Sequence, residues 1–135
     1  MAAYVPTTWV ADSAPGISAT QLNRMEAGID AALTFTEKWQ ELTISSANAW
    51  REVNLSSYGV AAGNVVWILF VIIGGGPYFG GARQVGSALN RRADMHGNNA
   101  SFTIPVVALG AGATVELYTE NTTNCKAYLV GYIGL

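Results

Sequence analysis

The fold class is decided by the stretch Val65–Ile73, which reads VVWILFVII and ends at Gly74-Gly75-Gly76-Pro77. Nine apolar residues are too few for a helix that crosses a bilayer, which needs roughly 20. Their β-branched and aromatic character, bounded by a turn signal, predicts a strand. Because the run does not alternate with polar residues, both faces of that strand must be covered. A second sheet would cover one face, and a subunit interface would cover the other, as it would for Tyr128–Ile133.

Similar short runs fill the chain after residue 37, separated by Gly, Asn and Ser. They predict seven strands, at 38–44, 50–55, 64–73, 83–88, 101–109, 114–119 and 125–133. The expected fold class is α+β, mainly β, with a short N-terminal helix followed by an antiparallel, jelly-roll-like β-sandwich. The expected divisions are an extended arm over 1–16, a helix over 17–37 and a sandwich domain over 38–135.

The helix is predicted from its start signals. If Ser18 is the N-cap, Gln21 completes a capping box, and Ile17 and Leu22 form a hydrophobic staple. The apolar residues that follow recur with the spacing of a coiled-coil seam; they are Leu22, Met25, Ile29, Ala32 and Leu33. So short a helix is marginal alone, and it packs either on the chain's own sheet or against other copies of the chain.

Composition narrows the function classes. The 135 residues are 50% hydrophobic and 12% charged, with a net charge of -2, which argues against sequence-independent binding to nucleic acid. About a quarter of residues are charged in a typical soluble domain, so we expect an oligomer. One Cys and one His are too few for a zinc site. We expect no cofactor, no metal, no membrane insertion and no secretory signal.

Catalytic signals are weak. The glycine-rich stretch 74–81 suggests a phosphate loop, but Phe79 stands where a third glycine is needed, and a loop with positive φ angles explains it as well. The candidate base, His96, lies in a predicted loop, and the carboxylates form no acid/base pair. We therefore expect no enzyme.

A ligand-binding surface is the remaining chemical hypothesis. The predicted loop 91–99 collects hydrogen-bonding side chains suited to a sugar, and Arg83, Tyr78 and Phe79 stand near it in sequence; the alternative is an ordinary solvated loop. The candidate ligand residues are Arg91, Arg92, Asp94, His96 and Asn98.

Residues 7–29 carry a family resemblance. The pattern W-x-x-x-x-x-P-x-I-S-A-x-x-L-N-x-M-E-x-G-I, which runs here from Trp9 to Ile29, resembles the N-terminal segment of tailed-bacteriophage surface projections, meaning tail-fibre, receptor-binding and head-fibre proteins.

The resemblance implies a homotrimer on the surface of a phage head or tail, with the helix as a threefold bundle. The arm over 1–16 would attach it to other virion proteins of the capsid or tail through Trp9 and Val10. One function is a projection that contacts host-surface glycans. The alternative is a capsid decoration that stabilises the head lattice without a host ligand.

Overall fold

The computed structural model describes residues 20–25, 27 and 34–134. Residues 20–25 and 27 are helical, and Ser56–Tyr58 form a single 3-10 turn. The strands are β1 Phe35–Leu42, β2 Arg51–Asn54, β3 Val65–Ile72, β4 Tyr78–Gln84, β5 Arg92–Met95, β6 Ser101–Val107, β7 Thr114–Thr119 and β8 Cys125–Ile133.

The strands form two antiparallel sheets of four. The first sheet has the order β1-β8-β3-β6 and the second has the order β2-β7-β4-β5. The partners are nested: β1 pairs with β8, β2 with β7, β3 with β6 and β4 with β5. Every strand pair is antiparallel, and the eight strands form two sheets. The expectation of a mainly β chain with antiparallel sheets is therefore confirmed.

One hydrophobic core joins the two sheets. Along β3, every second residue, from Val66 through Ile68 and Phe70 to Ile72, is fully buried. These side chains belong to the same cluster as Val115 and Leu117 of β7 in the other sheet. Because strand residues alternate between faces, this pattern places the inner face of β3 against the second sheet and makes the molecule a β-sandwich.

The outer face of β3 is different. Val65, Trp67, Leu69 and Val71 are only partly buried, although the sequence requires cover for an apolar face on this side. Among the described residues, this outer face remains partly open to solvent.

Several predicted bounds were wrong, and the described residues form eight strands instead of the predicted seven. β1 begins at Phe35, so residues 35–37 belong to a strand and not to the end of the helix. The strand predicted at 83–88 lies at Tyr78–Gln84. The predicted loop 91–99 contains a strand, β5, at Arg92–Met95.

The glycines explain the error in the strand predicted at 83–88. Gly80 and Gly81 are strand residues, and a Cβ atom at Gly80 would lie 2.7 Å from Cδ1 of Phe70. Glycine is needed there for close approach of the two sheets and not for a turn.

Candidate functional surfaces

The structure separates the five predicted ligand residues. Arg92 and Asp94 lie on β5 and are exposed. Arg91, by contrast, donates a hydrogen bond of 3.1 Å to the carbonyl oxygen of Pro105 on β6 of the other sheet. His96 is 72% exposed, with Nε2 2.9 Å from Oδ2 of Asp94, and Asn98 lies in an exposed turn. The five residues therefore do not form one loop, and Arg92 and Asp94 lie on one face of the second sheet.

That face carries a row of side chains that crosses the sheet. Gly81 on β4 pairs with Tyr118 of β7 on one side and with Arg92 of β5 on the other. Trp50, which directly precedes β2, packs on Tyr118 with ring centroids 5.5 Å apart. We call Trp50, Tyr118, Gly81 and Arg92 the arginine–aromatic row.

The central glycine makes the row continuous. A Cβ atom at Gly81 would lie 2.9 Å from Cγ of Arg92 and 3.0 Å from Cη2 of Trp50. The same Cβ atom would lie 2.5 Å from the backbone carbonyl oxygen of Arg91. Real Cβ atoms essentially never come within 3.0 Å of such atoms, so any other residue would force the backbones of β4 and β5 and the Arg92 side chain to shift. The side chains of Arg92 and Trp50 therefore lie side by side over Gly81, which has no side chain.

Two guanidinium groups stack on the aromatic rings. Cζ of Arg92 lies 4.5 Å from the ring centroid of Tyr118 and 5.5 Å from that of Phe79. Cζ of Arg83 lies 4.2 Å from the ring centroid of Trp50. Both distances from Arg92, and the one from Arg83, fall in the range of cation–π attraction.

The two arginines differ in what else they bind. Nε of Arg83 donates to Oε2 of Glu116 at 2.6 Å, and its Nη1 donates to the carbonyl oxygen of Leu89 at 3.3 Å. The Arg92 guanidinium donates to no carboxylate or carbonyl oxygen of the described residues. The hydrogen bonds of the Arg83 guanidinium are therefore used within the fold. The Arg92 guanidinium stacks on two rings and keeps N–H donors that no acceptor among the described residues uses.

Carboxylates flank the row. Glu52 lies directly opposite Glu116 across β2 and β7, and Asp94 lies directly opposite Phe79 across β5 and β4. Directly paired residues share a face, so these acceptors lie on the same face as Arg83 and Arg92. The surface combines rings, a free guanidinium and hydrogen-bond acceptors, and it is not a uniformly basic patch.

Alternation on β7 contains a signal for this site. Buried Val115 and Leu117 alternate with Glu116, which puts Tyr118 on the outer face. No local pattern around Tyr118 or Trp50 indicates that these residues lie beside residues 79–92.

A second exposed surface lies on the outer face of the first sheet. Phe35 packs edge to face on Trp67 with centroids 5.6 Å apart, and Trp39 stacks on Tyr128 at the same separation. Phe35 and Trp39 remain 40% and 65% exposed. We call these four residues, together with Leu69, the aromatic face.

The predicted trimer residues are only partly described. Leu22 and Met25 are helical and are 45% and 46% exposed. The other predicted positions lie outside the described residues; they are Ile29, Ala32 and Leu33 for the seam, and Trp9 and Val10 for attachment.

Among the described residues, no group of three or more His, Cys, Asp or Glu side chains is arranged to hold a metal ion. Cys125 is buried. Burial raises the pKa of its thiol, a hydrogen bond with Thr119 lowers it, and the charge of Glu120 raises it further. Burial therefore favours the neutral thiol of Cys125, which is a poor nucleophile.

In the part of the chain that the structure describes, no helix has the length and apolar character required to span a bilayer. No protein-family model, curated protein sequence or solved structure matches the chain.

Proposed function

We propose that the chain is a non-enzymatic structural protein of a tailed-phage virion, a homotrimeric surface projection that contacts host-surface glycans. The aromatic face is the observation that supports the homotrimer, because it presents five large apolar side chains on one side of the molecule. Monomeric soluble proteins rarely leave a contiguous apolar patch of this kind uncovered. Neighbouring copies of the chain would cover it.

The position of the helix supports copies of the chain as the partners. Residue 27 is helical, and Thr34 directly precedes β1, the edge strand that carries Phe35 and Trp39. Seven Cα–Cα steps separate residues 27 and 34, which limits their distance to about 25 Å. A bundle of three helices that buries Leu22 and Met25 therefore brings three aromatic faces close to one axis.

The strand connections support a virion or lectin-like setting. The nested pairing of eight strands in two sheets supports the proposal of a jelly roll, an architecture found in viral capsid and lectin domains. Since one fold carries many functions, the link to a phage particle depends on the resemblance of residues 7–29.

A pair of matched variants tests the assembly. Met25→Asp places a charge in the proposed seam, where an unpaired buried charge is costly. Asn23→Asp adds the same charge two residues away on the same helix, outside the seam. We expect sedimentation to show a trimer for Asn23→Asp and dissociation for Met25→Asp.

The aromatic face has its own test. Trp39→Ser removes the most exposed ring of the face and should also weaken the trimer without unfolding the sandwich. Equal trimer stability in all three variants and the unmodified chain would overturn the proposed assembly.

A further inference from the structure

We propose that the arginine–aromatic row is a binding site for an acidic saccharide, with Arg92 receiving its carboxylate or phosphate group. This inference rests on the proposed function for the source of the ligand, the host surface. The side chains of the arginine–aromatic row determine the chemistry of the ligand.

Arg92 is the residue that would bind the acidic group of the saccharide. A guanidinium that stacks on rings uses its faces for that contact, and its edge keeps the N–H groups that pair with a carboxylate or phosphate in a fork-like geometry. Arg92 is held over Tyr118 and Phe79 and has no acceptor among the described residues. Its rotamer entropy is already reduced, so an anion that binds there pays less to order it.

The aromatic rings beside Arg92 would contact the sugar rings of the saccharide. Trp50 and Phe79 are partly exposed, whereas Tyr118, on which the Arg92 guanidinium stacks, is buried. They offer apolar surface next to a cation, which suits the C–H faces of a sugar ring whose acidic group reaches the guanidinium. The Trp50 ring and the Arg92 side chain meet over Gly81, so one sugar ring can contact both.

The carboxylates select against a partner whose negative charges are closely spaced. Asp94 lies opposite Phe79, Glu116 bonds to Arg83, and Glu52 lies opposite Glu116 on the same face. These groups repel a densely charged partner such as an acidic peptide. Glu52, and the carboxylate oxygen of Asp94 that does not contact His96, can accept hydrogen bonds from hydroxyl groups, so the preferred ligand has spaced negative charges and many hydroxyls.

Arg91 provides a matched control. It is the sequence neighbour of Arg92, carries the same charge and is also exposed. Its guanidinium, however, is directed to Pro105 of the other sheet. If charge alone attracted the ligand, loss of either arginine would have a similar effect.

The test is equilibrium binding of the full chain to four probes of similar length. They are an oligosaccharide with a uronic acid at every second sugar, an oligosaccharide with a phosphodiester at every second linkage, an uncharged oligogalactose and an oligoglutamate peptide. We expect at least one of the two acidic non-peptide probes to bind at least about tenfold more tightly than the oligogalactose and the peptide. The choice between those two probes identifies the acidic group as carboxylate or phosphate.

The variants locate the site. Arg92→Ala should weaken binding at least about tenfold, since hydrogen bonds to charged groups are the strong ones. Arg92→Lys should recover only part of the loss because it keeps the charge but not the fork, and Trp50→Phe should weaken binding by a smaller factor. Arg91→Ala should stay within about twofold of the unmodified chain.

Three results would overturn the inference: no binding of any probe at millimolar concentration, preference for the peptide or the uncharged sugar, or equal losses in Arg91→Ala and Arg92→Ala. Sedimentation of the same samples separates this outcome from that of the proposed function. Arg92-dependent binding by a monomer would leave the site intact and contradict the trimer, whereas a trimer without binding would favour the capsid decoration.

Discussion

The packing of Phe70 against Gly80 allows a quantitative test of how the two sheets meet. Phe70 is fully buried on β3, and its ring also stacks on Phe102 at a centroid distance of 5.4 Å. A methyl group added at Gly80 would lie 2.7 Å from Cδ1 and 2.9 Å from Cγ of Phe70, but 3.2 Å from its Cβ. The ring atoms are too close to accommodate, and the Cβ contact is tight enough that it must relax by a few tenths of an ångström.

The expected energies follow from these distances. Gly80→Ala overpacks the core and should lower the free energy of unfolding by about 1–3 kcal/mol. Phe70→Ala removes the ring and should cost about 3–5 kcal/mol. In the Phe70→Ala background, the methyl group at residue 80 enters vacated space, where it gains about 0.8 kcal/mol from burial and about 0.4–1 kcal/mol from restriction of the unfolded chain.

The sign of the Gly80→Ala effect should therefore reverse, with a coupling of at least about 2 kcal/mol in the double-mutant cycle. The assay is urea denaturation of the four proteins at one protomer concentration, because assembly contributes to apparent stability. Additive effects within about 0.5 kcal/mol would refute the packing described for β3 and β4.

Two further predictions concern charged groups. Because burial raises the pKa of the Cys125 thiol, its contribution to stability is present below the unfolded pKa of about 8.5 and is lost as the pH rises through the folded pKa; Cys125→Ala should lose less stability than the unmodified chain between pH 7 and pH 10 in urea denaturation. Arg83→Met leaves the partly buried Glu116 without its cation and should cost about 1–3 kcal/mol, whereas Arg51→Met, at an exposed arginine bonded to Ser46, should change the free energy of unfolding by less than about 0.5 kcal/mol.

The strands that sequence predicted best are those with a strong local pattern. β7 and β8 have the predicted bounds, Thr114–Thr119 and Cys125–Ile133, and β3 differs from its prediction by one residue at each end. These segments are rich in β-branched and aromatic residues, so local propensity and tertiary packing favour the same structure.

The errors fall where tertiary contacts override the local signal. Gly80 and Gly81 resemble a turn, yet they lie in β4 because Phe70 on one face and Arg92 with Trp50 on the other occupy the space of their side chains. β5 is polar and short, and it pairs with β4 through backbone hydrogen bonds, which carry no sequence signature.

The candidate site was predicted only in part for a related reason. Arg92 and Asp94 were selected because they stand close together in sequence with other hydrogen-bonding residues. Trp50 and Tyr118 come to the row through the pairing of β2 with β7 and of β7 with β4. Pairing between distant segments is a property of the whole topology, and a single local pattern does not contain it.

The mass of the full chain in solution tests the central claim most directly. Sedimentation equilibrium at micromolar concentration should give three times 14.2 kDa, or about 43 kDa, with dissociation in Met25→Asp and none in Asn23→Asp. A monomer of 14.2 kDa under the same conditions would contradict the account, because the aromatic face and the helical residues Leu22 and Met25 would then remain exposed without a partner.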